Sequence, residues 1–430
     1  MQEFSLDEAL SAVQNGRSLT FRACIHKIRT MAKITFIVLR TGRYIIQSVY
    51  LSNDKFNLDN VKEGVFVEVT GTVKNEEKAP NGIEISLENL KILSVPTFEY
   101  PLRVSDKKLD IAIETNLDNR SVTLRNPRER AIFKLSEGIC GGFREFLIGE
   151  GFTEIHSPKI VSQGAEGGAN IFHIEYFDKP AFLNQSPQFY KQTAVAFFNR
   201  VFEIAPVYRA EKHATSRHIN EYIGLDFEMG FIDNMYDVMS METACLKYIF
   251  EYLKKYYAYE LELLEADIPE IGEIPCVTLL EAKEILAEKG SRNKLDLEPE
   301  DEVYLCEYAQ KKFNSEFIFV THFPSSKPPF YAMDSREDSR LAYKFDLLFR
   351  GLEITSGGQR IHDYDEQVAK MQRQGLNPED FKSYLEAHKY GLPPHGGLGI
   401  GLERLVMKLL KLNNIRYASM FPRDINRLLP

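Results

Sequence analysis

The sequence predicts an α+β protein in which a small β-barrel precedes an antiparallel sheet flanked by helices. Three observations lead there. Residues 17–94 hold short β-rich runs broken by turn residues. Near residue 126 the apolar pattern changes to a one-face helical stripe. Beyond it, strands and helices mix without the regular strand–helix alternation that marks a parallel sheet.

Taken in order, Ser5–Gln14 reads as a short amphipathic helix. "RSLTFRACIHKI", "ITFIVLRTGRYIIQSVY", "VFVEVTGTV" and "IEISLENLKIL" then supply about five strands, for which an OB-fold barrel is the leading solution and a small sandwich the alternative. "SVPTFEYPLRVSDKKLD", with two prolines and several charges, reads as a hinge. In "NPRERAIFKLSEGICGGFREFLIGEGF" the residues Ile132, Leu135, Ile139, Phe143 and Phe146 share one helical face. The expected domains are 1–98 (barrel), 99–125 (hinge) and 126–430 (the large helix-flanked sheet).

Composition narrows the class. A chain of 430 residues with 44% hydrophobic content can bury more than one core. No apolar run approaches the roughly 18 residues that span a bilayer, so no membrane partner is expected. The start "MQEFSLDEAL" lacks the pattern of a secretory signal. The five cysteines are scattered without a CxxC, which fits a reducing cytoplasm better than a disulfide framework. Net charge is −9, yet residues 1–98 hold 12 Lys and Arg against 11 Asp and Glu. A polyanion could therefore still meet a local basic face.

The chemistry concentrates in a few stretches. "VFEIAPVYRAEKHATSRHINEYIGLDFEMGF" reads as a hairpin with Glu203, Arg209 and Glu211 on one parity and Asp226 and Glu228 opposing Leu225, Phe227 and Met229. A solvated sheet face would look similar, but the loop adds Arg217, His218, Glu221 and then Tyr222. A cation for phosphate oxygens beside a planar ring for a base suits a nucleotide. "HGGLGIGLERLVMKLLKL" sets four glycines before a helix whose first turn holds Glu403 and Arg404. This arrangement favours an anion, though many such stretches are only tight connections. No GxxxxGK[ST] loop occurs, so a triphosphate would rest on arginines and metal. In "KFDLLFRGLEITSGGQRIHDYD", a turn at Arg350-Gly351 would fold Asp346 and Glu353 onto adjacent strands, offering hard oxygens to Mg²⁺. Ser356 and Arg360 follow. In "SPQFYKQ", Gln188 and Lys191 open a helix after Pro187; Lys191 could meet a carboxylate or point to solvent.

"GFTEIHSPKI", "PVYRAEKHATSRHINEYIGLDFEMGF" and "GLGIGLERL" resemble, in order, the three signature motifs of class II aminoacyl-tRNA synthetases. The variants "EGG", "SPQFYKQ", "FRGLEITSGGQRIH" and "YGLPPHGGLGIGLERL" are similar to the archaeal-type aspartyl-tRNA synthetases, over nearly the whole chain. The resemblance implies an OB-fold that binds an anticodon and a class II catalytic sheet. It implies ATP as substrate, with Arg209 and Arg404 catalytic and Glu211, Arg217, His218, Ile219, Tyr222, Glu353, Gly401, Leu402 and Glu403 around the nucleotide. Asp346, Glu353 and Ser356 would hold Mg²⁺. Glu166, Gln188, Lys191, Arg209, Asp226, Ser356 and Arg360 would receive L-aspartate. Phe36 and Gln47 would read the anticodon, with Cys24 standing where the family usually has tryptophan. The implied partners are tRNA(Asp), with tRNA(Asn) as a second acceptor, and a second copy of the chain meeting near Pro158. An asparagine-specific relative and a paralogue working without tRNA remain rival readings.

Overall fold

The computed structural model describes residues 4–51, 56–164, 170–213, 215–287, 290, 293, 295–327 and 329–429. They form two units, Met1–Arg130 and Ala131–Pro430. In the first, Ser5 caps the helix Leu6–Asn15 by accepting from the Glu8 N–H. Five strands follow: β1 (Ser18–Met31), β2 (Ile34–Thr41), β3 (Tyr44–Leu51), β4 (Phe66–Asn75) and β5 (Ile83–Ser94). They close in the order β1-β2-β3-β5-β4. Closure leaves no sheet edge to aggregate. Alternate residues, among them Phe21, Ile25, Ile37, Leu39, Val67, Val69 and Ile85, fill the interior, as the period-two pattern requires.

The segment expected as a hinge packs with the barrel unit. It contains two short helices, Ile113–Asp118 and Arg120–Thr123. Tyr100 approaches Gly64 so closely that a Cβ there would lie 2.5 Å from its hydroxyl oxygen. The Arg125 guanidinium sits over the Tyr100 ring at 5.1 Å.

The second unit is built on an eight-stranded sheet. Its strands are β6 (Thr153–Glu154), β10 (Arg200–Tyr208), β11 (Glu221–Gly230), β12 (Cys276–Thr278), β13 (Phe317–Pro324), β14 (Leu341–Phe349), β15 (Leu352–Gln359) and β16 (His395–Gly401). Their order is β12-β13-β14-β15-β16-β11-β10-β6. A small separate sheet comprises β7 (Ile160–Val161), β8 (His173–Tyr176) and β9 (Lys179–Leu183). The large sheet is mainly antiparallel, as expected, with a parallel pair at each edge. Its six central strands are antiparallel, but β6 pairs with β10, and β12 with β13, in parallel. The small sheet and the helix Gln188–Phe198 connect β6 to β10, and the helices Leu279–Leu286 and Pro299–Phe313 connect β12 to β13, the long connections that parallel pairs need.

One face of this sheet is covered by the helices Pro127–Gly149 and Met235–Tyr256, whose Leu135, Ile139, Phe143, Leu246 and Ile249 pack against Phe202, Phe227, Leu347 and Leu398. The stripe read from residues 132–146 is therefore the core-facing side of a helix running Pro127–Gly149. The glycines of "HGGLGIG" form a strand rather than a loop. At Gly397 a Cβ would collide with Glu228 Oε2 at 2.2 Å, and at Gly399 it would stand 3.0 Å from Asp226 Oδ1. The missing side chains make room for two buried carboxylates on the neighbouring strand.

Candidate active site

The cleft is assembled from strand residues that point away from the helix-covered face. β10 and β11 pair antiparallel with Glu203 opposite Asp226 and Tyr208 opposite Glu221. Leu225, Phe227 and Met229 go to the core, so period two drives Asp226 and Glu228 to the other side. On β14 and β15 the turn at Arg350-Gly351, with φ of 46° and 80°, is the left-handed pair a two-residue hairpin uses. The fold-back sets Asp346 opposite Ser356 and Leu348 opposite Glu353.

These elements enclose a cleft of about 430 Å³. Its lining includes Gln188, Lys191, Arg209, Glu211, Arg217, His218, Ile219, Tyr222, Asp226, Glu353, Ser356, Arg360, Gly401, Glu403 and Arg404. Fifteen residues singled out in the sequence thus meet at one place. Glu166 lies outside the described residues. Leu402 does not line the cleft: it packs into the hydrophobic core, so the nucleotide role expected of it is set aside. Ile219 belongs to that core as well as to the cleft lining.

At one end, Lys191 is 2% exposed and Arg360 5%. The Lys191 ammonium donates to Asp226 Oδ1 at 3.0 Å and to the Leu398 carbonyl at 2.9 Å, and stands 3.4 Å from Glu228. Arg360 Nε donates to Glu228 Oε1 at 2.9 Å and Nη2 to the Gly397 carbonyl at 2.8 Å. Burial alone would raise the Glu228 carboxyl, but Arg360 and Lys191 hold it below its usual range. Burial does raise Asp226, against the pull of Lys191. Gln188 Nε2 donates to Gln192, whose own Nε2 meets His395.

At the other end, Arg209 lies 5.8 Å from the centre of the Tyr222 ring. Arg404 Nη1 donates to the Glu353 carbonyl at 2.8 Å and stands 3.5 Å from its carboxylate. His218 bonds Thr215 at 2.6 Å and lies 3.8 Å from Glu211; burial lowers its pKa, opposed by Glu211. Glu403 is buried and raised to about 8, although its oxygens accept from the Ile223 N–H.

Asp346 sits just behind the lining, its two oxygens 2.7 and 2.6 Å from Lys344. Burial pushes it up to about 6, against the pull of Lys344 and with the push of Glu353. Two carboxylates that repel each other, with a hydroxyl beside them, suit a hard dication. Among the described residues no cluster of three or more His, Cys, Asp or Glu could hold a metal alone, so an ion here would need substrate oxygens as well.

Sequence reasoning missed several neighbours. Lys344 was legible, since it shares strand parity with Asp346 two residues on. Glu302, which meets Arg217, and Tyr331, whose ring faces Arg360 at 5.3 Å, come from distant segments and gave no local signal.

On the barrel, Phe36 and Gln47 are half-buried on the outer side of β2 and β3. Arg29 stands over the Phe36 ring at 5.7 Å, and Gln47 bonds Glu84 at 2.7 Å. Cys24 is 4% exposed, with its Sγ toward the Ile25 carbonyl at 3.7 Å. A thiol so enclosed is packed rather than presented, which departs from the anticodon contact expected of it. It lies on β1 in register with Arg40 and Phe66 on the flanking strands.

Residues 112–425 match the family model described as tRNA synthetases class II (D, K and N), and residues 19–93 match the OB-fold nucleic acid binding domain. Similar curated proteins include the aspartate–tRNA(Asp/Asn) ligase of Deinococcus radiodurans, 45% identical with 96% of each chain covered. The aspartate–tRNA(Asp) ligase of Pyrococcus furiosus is 39% identical with 97% of each covered. Among solved structures, the asparaginyl-tRNA synthetase of Pyrococcus horikoshii with asparaginyl-adenylate superposes with a TM-score of 0.92 at 30% identity, covering all of both chains. The aspartyl-tRNA synthetase of Entamoeba histolytica gives 0.87 at 30%, covering 100% of this chain and 93% of that one. Among the described residues, no helix is long and apolar enough to cross a membrane.

Proposed function

This chain belongs to the class II tRNA synthetases of the D, K and N family, and from that premise we propose that it joins L-aspartate to tRNA using ATP. The observation that supports aspartate is the charge balance of the cleft. Lys191, Arg360 and Arg209 bring three cations against Asp226 and Glu228. Aspartate, with two carboxylates and one ammonium, supplies the missing negative charge; asparagine is neutral and would leave the surplus buried. The full-length relatives at 38–45% identity named as aspartate ligases point the same way, whereas the asparaginyl neighbour is 30% identical.

In the proposed arrangement, Lys191 and Arg360 hold the side-chain carboxylate, Asp226 the ammonium, and Gln188 and Ser356 the flanks. Arg209 holds the α-carboxylate against the α-phosphorus of ATP. Tyr222 stacks on adenine, with Arg404 on its other side, and Glu211, Arg217, His218 and the main chain at Ile219 and Gly401 complete the nucleotide site. Asp346, Glu353 and Ser356 would hold Mg²⁺, which when bound supplies charge neutralisation to the phosphates. The carboxylate oxygen bonds to the α-phosphorus as pyrophosphate departs, and a terminal ribose hydroxyl of tRNA then takes the aspartyl group as AMP leaves. No protein nucleophile is required; positioning and charge do the work. Arg209 directly follows β10 and Arg404 lies in the first turn of the helix Leu402–Leu409, which limits the reorganisation needed.

The barrel receives the anticodon through Phe36 and Gln47, and the chain works as a homodimer meeting around the helix Pro127–Gly149 and Pro158. The acceptors are tRNA(Asp) and tRNA(Asn). Aspartate-dependent exchange of pyrophosphate into ATP tests the first half-reaction. Exchange with asparagine alone would overturn the reading, and exchange without RNA charging would favour a tRNA-independent paralogue. Light scattering is expected to give about twice the 49.5 kDa of one chain.

A further inference from the structure

Arg217 leaves the β10–β11 loop and reaches the cleft wall, where one nitrogen carries its bonding. Its Nη2 lies 2.7 and 2.6 Å from the two oxygens of Glu302, on the helix Pro299–Phe313. The same carboxylate accepts the Glu353 N–H at 3.0 Å. Glu302 is 6% exposed and stands behind the lining. The Arg217 Nε is buried and without a hydrogen-bond partner. One carboxylate thus joins a loop arginine that faces the cleft to the main chain of a candidate metal-holding residue.

We infer that Glu302 is a positioning residue for the triphosphate site, fixing Arg217 and the start of β15 at one spacing. The inference rests on the phosphate-site reading given above. An arginine free to sample its rotamers must be ordered when phosphate binds; one already tethered by Nη2 loses less and offers its remaining donors in a set plane. The tether also fits the chemistry of a carboxylate, which presents acceptors on both oxygens. A glutamine at 302 would keep one acceptor and turn an NH₂ toward either Arg217 or the Glu353 N–H, opposing donor to donor.

Pyrophosphate exchange with ATP and aspartate varied separately is the test. Glu302→Gln is expected to raise the KM for ATP by about tenfold or more, the effect of losing one hydrogen bond to a charged group, and to leave the KM for aspartate unchanged. In an Arg217→Ala background the same change should add less, because only the Glu353 N–H is then left for the carboxylate to hold. Glu302→Asp keeps both acceptors one methylene shorter; it should give the same selective rise in smaller measure, and serves if the amide variant fails to fold. Equal rises in both KM values, additivity with Arg217→Ala, or no change in an active protein would overturn the inference. So would a lower KM for ATP, which would mean that Glu302 withholds Arg217 from phosphate. Absence of exchange in the unaltered protein would instead sink the phosphate-site reading itself.

Discussion

Glu228 and Glu242 are both fully buried in the same unit, and their carboxyl groups shift in opposite directions. Glu228, on β11, meets Arg360 and Lys191 and is held below its usual pKa. Glu242, on the helix Met235–Tyr256 behind the sheet, has two oxygens without a hydrogen-bond partner and is pushed by burial to about 8. Thr355 on β15 and Cys245 on its own helix are its polar neighbours, with the charge of Asp346 adding to the rise. Burial alone does not decide whether a glutamate is charged; the cations brought to it do. Around Glu228 the cleft therefore supplies matching cations, whereas burial without a cation holds Glu242, behind the sheet, toward its neutral form.

The matched set can be broken by removing one cation. Lys191→Ala would leave Asp226 and Glu228 with Arg360 alone, and unpairing a buried charge costs about 3–5 kcal/mol. Aspartate kcat/KM in pyrophosphate exchange should fall by more than about 100-fold, at tenfold per 1.4 kcal/mol, with a smaller change in the KM for ATP. A variant that activates aspartate normally would show that the substrate carboxylate sits elsewhere.

The unpaired acid gives a smaller, pH-graded effect. Because the folded pKa of Glu242 is raised from 4.5 to about 8, the folded state binds its proton more tightly than the unfolded chain does. Its contribution to stability is fully present below about 4.5 and is lost as pH rises through 8. Glu242→Gln removes the titration while retaining shape. Urea midpoints should show the variant gaining on the unaltered protein by up to about 1.4 kcal/mol per pH unit between pH 6 and 8, and levelling above. A constant difference across that range would mean that Glu242 ionises normally.

The same contrast explains what could be read before the fold was known. Asp226, Glu228, Asp346 and Glu353 sit on strands whose alternation with Leu225, Phe227 and Leu347 is visible in the sequence, so parity and the Arg350-Gly351 turn were enough to face them one way. Lys191 gave only a residue type. That it lies beneath β16, bonded to the Leu398 carbonyl, depends on a pairing more than two hundred residues distant. Glu302 and Glu242 carry no periodic signal that separates them from surface acids on an amphipathic helix. The glycines of β16 were read as room for a ligand, whereas Gly397 and Gly399 make room for the protein's own carboxylates.

The barrel offers the gentlest test, because it uses half-buried surface groups instead of a buried charge set. The anticodons of tRNA(Asp) and tRNA(Asn) share their first and second bases and differ at the third. Phe36 under Arg29, and Gln47 bonded to Glu84, form a stacking ring with an amide beside it, the equipment for one single-stranded base. A base both tRNAs share cannot separate them. Discrimination by bulk would need a large side chain near the third base. Cys24, which stands where the family resemblance has tryptophan, is a small enclosed thiol and adds no such bulk. The relatives divide on this point, the Deinococcus protein being named for both tRNAs and the Pyrococcus furiosus protein for one. Charging the two transcripts side by side should give kcat/KM values within about tenfold of each other, less than 1.4 kcal/mol. Phe36→Ala should lower both by a similar factor, the loss of about 1–3 kcal/mol of base stacking, and leave tRNA-free pyrophosphate exchange untouched. A preference for tRNA(Asp) above roughly 100-fold, about 2.7 kcal/mol, would mean that the third base is read by residues other than these.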